Sequence, residues 1–180
     1  MPLYEASAAM KYIRDHAEEL CIDPDYVFAI GFSAGGHLTA ALGSLWDNDE
    51  IEAKLGMKKG YNRPTGTILS YPVISGLEYG HRGSINNILK QERDDEEARR
   101  SVSLELHVSE KTAPCFLWAT RTDDAVPVQN TLLYAEALAN HNIPFEMHIY
   151  PEGPHGLSLG KKYVNCPYPE VSAWTKDAIR

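Results

Sequence analysis

Four short apolar segments, separated by segments with helical periodicity, constrain the fold of this chain more than any other feature. They are residues Tyr26–Ile30, Thr67–Tyr71, Cys115–Ala119 and Phe145–Tyr150. A run this short and this continuously apolar predicts a strand inside a sheet, and we expect the first run to be buried on both faces. Parallel strands need crossovers of roughly a dozen residues, which the intervening segments supply. We therefore predict an α/β fold with a mainly parallel sheet and flanking helices.

The segments between the strands carry the helical patterns. Apolar residues at helical spacing predict four helices: Tyr4–Leu20, about Ala34–Trp46, one beginning near Pro127, and about Pro169–Arg180. The long polar stretch Ser75–Lys111 contains a charge cluster, Gln91–Arg100, that predicts a short solvated helix outside the core. We expect this stretch to be a solvated flank and not a lid.

The composition narrows the class of protein. A chain of 180 residues with 43% apolar and 23% charged residues predicts one domain, residues 1–180, with one sizeable core. The net charge of −8 disfavours nucleic acid or an anionic membrane as the main partner. Three widely spaced cysteines without a CxxC motif, and no signal or membrane-spanning segment, predict a reduced, cytoplasmic protein.

The most informative motif directly follows the first predicted strand and reads Gly-Phe-Ser-Ala-Gly, residues 31–35. A nucleophile on a sharp strand-to-helix turn has a strained backbone, so the residues two before and two after it must be small. Ser33 is therefore the candidate nucleophile. The turn also places it at a helix N-terminus, where the N–H of Ala34 can stabilise an oxyanion.

A serine nucleophile needs a histidine base, and the base needs a carboxylate that orients it. Asp123 and Asp124 follow the third predicted strand, and His155 follows the fourth. The carboxyl ends of parallel strands gather at one edge of a sheet, so these side chains are expected to lie near Ser33. Only one of the two neighbouring aspartates can face the same imidazole, and this reasoning leaves both open.

Three segments carry a resemblance to a known family: residues 31–38 (GFSAGGHL), 123–128 (DDAVPV) and 153–156 (GPHG). They resemble the esterase/lipase group of the α/β-hydrolase family, particularly its carbohydrate-acetylesterase and xylan-esterase-like members, from about Ile22 to Leu159. The resemblance implies a Ser33, His155 and Asp123 triad, because the family's acid lies four residues before the proline of its Val-Pro pair. It also implies hydrolysis of small carboxylic esters, including acetyl esters of carbohydrates, without a cofactor.

The chain departs from the family pattern at its start. No glycine-rich segment that would donate a second oxyanion N–H precedes Tyr4, and the strands that would flank the first predicted strand are absent. We therefore expect an N-terminally incomplete domain whose bare edge strand pairs in a homo-oligomer or with a complementary segment. Two alternatives stay open: a weak or inactive hydrolase-like module acting in assembly, and a peptidase of the prolyl-oligopeptidase type.

The sequence around the remaining histidines favours structural roles for them. His37, behind the motif, is expected to pack or to donate a hydrogen bond, and His148 lies inside a predicted strand. No HExxH motif or Cys/His cluster occurs, so a metal site is not expected.

Overall fold

The computed structural model describes residues 2–160 and 168–179. Its four strands form one sheet in the order β1-β2-β3-β4, and all neighbours are parallel. The strands are β1 (Phe28–Phe32), β2 (Gly66–Ser70), β3 (Cys115–Thr120) and β4 (Phe145–Tyr150). With helices on both sides, this sheet confirms the predicted α/β class.

Strand β1 differs from the prediction in position and in burial. It begins two residues later than predicted and continues to Phe32, directly before Ser33. The expectation that it is buried on both faces is wrong, because Phe28 and Ile30 are 58% and 50% exposed. Among the residues that the structure describes, β1 is the first strand of the sheet and has a neighbour on one side only. Its other face does pack, since Ala29 lies against a cluster formed by Val27, Met10 of α1 and Leu42 of α3.

The helices largely follow the predicted periodicity, with local differences. Their bounds are α1 (Pro2–Asp15), α2 (Ala17–Leu20), α3 (Ala34–Ser44), α4 (Asp49–Leu55), α5 (Arg82–Leu89), α6 (Glu96–Ser101), α7 (Gln129–Asn140) and α8 (Trp174–Asp177). The predicted helix Tyr4–Leu20 is interrupted at His16, whose φ of −110° and ψ of 22° lie outside helical values. At the C-terminus, a 3₁₀ turn at Val171–Ala173 precedes the short α8. Of the predicted last helix, Arg180 lies outside the described residues.

Apolar side chains pack against both faces of the sheet. On one face, Leu69 and Leu117 meet Ala40 of α3 and Leu138 of α7, and all four are fully buried. Burying a leucine side chain contributes about 1.5–3 kcal/mol, so this cluster is a main source of stability. The other face carries an aromatic cluster near the carboxyl ends of the strands, formed by Tyr71, Phe116, Trp118, Ala119, Leu157, Val171 and Trp174.

The stretch Ser75–Lys111 is more than a solvated flank. Helix α6 has no buried residue, as expected for the charge cluster. However, Ile85 of α5 is fully buried beside Val73, and Leu104 is 1% exposed within the main core. The expectation of a merely solvated segment is therefore wrong. None of the helices in residues 2–160 and 168–179 is long and apolar enough to cross a bilayer.

Candidate active site

Ser33 alone forms the turn between β1 and α3. Its φ of 55° and ψ of −121° lie in a region that non-glycine residues rarely adopt, so the surroundings must hold it there. The Ser33 N–H donates to Ser70 O (3.0 Å), and Ser33 O accepts from Val73 N (3.0 Å). Serine commonly caps helices, but this side chain makes no capping hydrogen bond. The hydroxyl is directed away from the helix and into the site.

The glycines around Ser33 differ in how tightly they are packed. A Cβ on Gly31 would lie 2.2 Å from Gly35 O, and one on Gly36 would lie 2.7 Å from Pro72 Cβ. A Cβ on Gly35 would meet no atom within 4 Å. The expected need for a small residue therefore holds two positions before Ser33, where the chain folds back on itself. Two positions after it, there is room for a side chain.

The structure brings Ser33, His155 and Asp123 together. The Nε2 of His155 lies 2.7 Å from Ser33 Oγ, and its Nδ1 lies 2.7 Å from Asp123 Oδ2. Asp123 follows β3 and His155 follows β4, so each side chain leaves the same edge of the sheet. Asp124 is exposed, whereas the Asp123 side chain is 1% exposed. Asp123 is thus the acid that faces the imidazole.

Backbone groups hold the carboxylate of Asp123. Its Oδ1 accepts hydrogen bonds from the N–H groups of Ala125 (3.0 Å) and Val126 (2.9 Å), which leaves Oδ2 for His155. Burial by itself would raise the pKa of Asp123, but the hydrogen bonds from His155, Val126 and Ala125 outweigh it, and the net pKa is lowered. Asp123 therefore stays ionised at neutral pH.

The loop that carries His155 is tied to the end of β3. Gly153 has a φ of 149°, and a Cβ there would come within 2.8 Å of both Leu157 and Thr120 side-chain atoms, so the position requires glycine. The Thr120 hydroxyl donates to Gly153 O (2.7 Å), and the Gly153 N–H donates to the Thr122 hydroxyl (2.9 Å). Sequence reasoning missed these threonines, because hydroxyl contacts across a loop leave no periodic signal.

The N-terminus of α3 supplies the predicted oxyanion donor. Ala34 is the first residue of the helix and is exposed, and within the described chain its N–H has no acceptor. No acidic residue lies in the first turn to offset the positive end of the helix dipole. An oxyanion that forms at Ser33 would lie beside this group.

The other histidines lie elsewhere. The Nε2 of His37 donates to Val102 O (2.8 Å), and burial lowers the pKa of His37. His148 pairs with Glu146 on β4 (2.7 Å). In the part of the chain that the structure describes, no three His, Cys, Asp or Glu side chains are arranged to hold a metal ion.

Comparisons with known proteins point to one family. The family model BD-FAE matches residues 2–138. Endo-1,4-beta-xylanase B of Butyrivibrio fibrisolvens is 39% identical over 88% of this chain and 25% of its own length. Acetylxylan esterase of Xylanibacter ruminicola is 30% identical over 100% of this chain and 38% of its own. The crystal structure of an acetyl ester-xyloside bifunctional hydrolase from Caldicellulosiruptor lactoaceticus superposes with a TM-score of 0.83 and 38% identity. That match covers 98% of this chain and 62% of the other, so this chain spans only part of its relatives.

Proposed function

Because this chain belongs to the BD-FAE family and has the α/β-hydrolase fold, we propose that it is a serine esterase cleaving small carboxylic esters. One observation carries the proposal. The imidazole of His155 lies 2.7 Å from the hydroxyl of Ser33, whose backbone is strained, and 2.7 Å from the buried carboxylate of Asp123. A serine hydroxyl is a weak nucleophile without such a base, and the base needs an anion that fixes its tautomer.

In the proposed reaction, Ser33 Oγ attacks the ester carbonyl while His155 Nε2 takes its proton. Asp123 accepts the Nδ1–H hydrogen bond and stabilises the imidazolium that forms. The Ala34 N–H stabilises the oxyanion, and His155 then protonates the leaving alkoxide. Water attacks the acyl-enzyme with His155 as base, which releases the acid and regenerates Ser33.

The substrate class comes from the relatives. An acetylxylan esterase and an acetyl ester-xyloside bifunctional hydrolase are both similar to this chain over nearly all of its length. We propose acetyl groups on carbohydrates as the esters, with acetate as the acid released. Short chromogenic acetates are suitable first substrates.

Replacement of the nucleophile tests this function. Ser33→Ala is expected to lower kcat by on the order of 10⁶-fold, since nucleophile and base act as a unit. Ser172→Ala is the control, because Ser172 is half-buried outside the triad and its hydroxyl donates to Pro169 O. A fluorophosphonate reagent should label the parent protein at Ser33. Unchanged turnover in Ser33→Ala would refute the esterase proposal. A folded parent protein that takes up no label would favour the alternative of an inactive module acting in assembly. Faster cleavage of peptides than of esters would favour the peptidase alternative.

We also propose that the open edge of β1 is paired in the working protein, by a second copy or by polypeptide beyond residues 1–180. Val27 N–H and C=O both bond to Thr65, and Ser33 N–H bonds to Ser70 O, so these odd-numbered residues face β2. Alternation along a strand directs the polar groups of Phe28, Ile30 and Phe32 to the open edge.

Size-exclusion chromatography tests the edge proposal. The chain 1–180 is expected to associate, and Ile30→Lys should weaken the association by placing a charge at the edge. A stable, non-aggregating monomer of the parent chain at every concentration would contradict the proposal.

A further inference from the structure

Tyr71 has an unusual position directly after β2. Its φ of 38° is in the left-handed region, which is costly for a residue with a bulky side chain. Its N–H donates to Trp118 O (2.6 Å), and the residue is only 5% exposed. A costly conformation persists only where its surroundings fix it, and such residues concentrate at functional sites.

The ring of Tyr71 packs against the imidazole of His155. The ring centroids are 4.9 Å apart and the planes meet at 73°. Tyr71 is in turn packed at 4.9 Å and 84° against Trp118, which is fully buried. Edge-to-face contacts of this kind are favourable and directional. The imidazole of His155 therefore packs against the Tyr71 ring, which is itself held in place by Trp118.

The hydroxyl of Tyr71 fixes the loop that carries His155. It accepts a hydrogen bond from the N–H of Ser158 (3.0 Å), three residues after His155. The carbonyl of Ser158 accepts a hydrogen bond from Trp174 Nε1 (3.0 Å). Both polar backbone groups of Ser158, which has a φ of 49°, are thus held by aromatic side chains. The loop is therefore anchored after His155 by these contacts and before it by the threonine contacts of Gly153.

From these contacts we propose that Tyr71 is a positioning residue for ester hydrolysis, holding His155 in the orientation that joins Asp123 to Ser33. This inference rests on the proposed esterase function. Because Tyr71 is buried, it acts through His155 and not by touching substrate. A tilt of the imidazole would lengthen both of its hydrogen bonds, and a displacement of about 1 Å can cost about 100-fold in rate.

The test compares Tyr71 with Tyr150, a partly buried tyrosine that packs against the same aromatic cluster. Tyr150 packs edge-on against Trp118 at 6.0 Å instead of against His155. Tyr71→Leu is expected to lower kcat by about 100-fold with KM within about twofold of the parent value. Tyr71→Phe keeps the ring but loses the Ser158 hydrogen bond, so kcat should fall by about 3- to 10-fold. Tyr150→Leu and Tyr150→Phe should retain the parent kcat.

A proton NMR spectrum supplies a second measurement, the far-downfield resonance of the His155 Nδ1–H that Asp123 accepts. It should shift or broaden in both Tyr71 variants and stay unchanged in both Tyr150 variants. Tyr71→Leu with the kcat of Tyr150→Leu, or a loss confined to KM, would overturn the inference. If Tyr71→Leu does not fold, parent-like kcat and resonance in Tyr71→Phe would overturn it. Failure of the esterase proposal is distinct, since the parent itself would then lack Ser33 labelling.

Discussion

Replacing Gly31 by alanine would push apart the two sides of the turn that bears Ser33. The new Cβ would lie 2.2 Å from Gly35 O and 2.4 Å from the Thr39 hydroxyl. The first distance is about 1.2 Å short of the 3.4 Å at which ordinary contact begins, and the obstructing atom is backbone. Overpacking of this kind costs about 1–3 kcal/mol. Relief requires β1 and α3 to separate by about 1 Å, which would lower kcat about 100-fold if Ser33 moves with them.

Gly35→Ala is the matched control, because the same methyl group there meets nothing within 4 Å. Gly35 lies in α3, where alanine is favoured over glycine by about 0.5–1 kcal/mol, so this variant should be slightly more stable. Urea unfolding gives both free energies, and hydrolysis of a short acetate gives kcat. Equal stability of the two variants, or parent-like kcat in Gly31→Ala, would refute the packing argument.

Two further predictions concern the acid and the buried histidine. Asp123→Asn should lower kcat by about 10⁴-fold, because the amide no longer stabilises the required tautomer, whereas Asp124→Asn should change it by less than about threefold; similar losses in both would contradict the assignment of the acid. His37 is neutral when folded because burial lowers its pKa, so the unfolded chain binds the proton more readily. The stability from neutral His37 is thus fully present above about pH 6.5 and is lost as the pH falls toward the folded pKa. Urea unfolding between pH 8 and pH 5 should show a smaller loss in His37→Gln than in the parent, and equal losses would contradict this.

The parts of the fold that sequence predicted best are those that local chemistry dictates. The sequence predicts the third strand at Cys115–Ala119, and the structure has it at Cys115–Thr120. All six residues of this strand are buried, and burial on both faces is what an unbroken apolar run indicates. The turn at Ser33 was predicted from spacing, since the close approach at Gly31 leaves no room for a side chain. Choosing Asp123 over Asp124 required the family resemblance, because both lie at the end of the same strand.

The parts that sequence could not predict depend on contacts between distant segments. The exposure of Phe28 is set by which strand neighbours β1, and an apolar run reads the same at an edge as in the middle of a sheet. In the sequence, Tyr71 is only the last residue of an apolar run, because neither its positive φ nor its contact with His155 is encoded by spacing. The short helix α4 begins at the Asn48 cap, whose side chain accepts from Ile51 N, but seven residues are too few for a clear period.

The hydrogen bond between Ser33 and His155 joins positions 122 residues apart, and the histidine follows β4, which is the last strand of the sheet in the described part of the chain. Bringing such remote positions together carries a loop-closure cost, and proteins open locally as well as globally. Detachment of β4 would therefore separate the histidine from the serine, whereas Leu69, Leu117 and Ala40 of the main core lie on other elements. A loss of ester hydrolysis would thus reveal detachment of β4 more sensitively than a measurement of helix content.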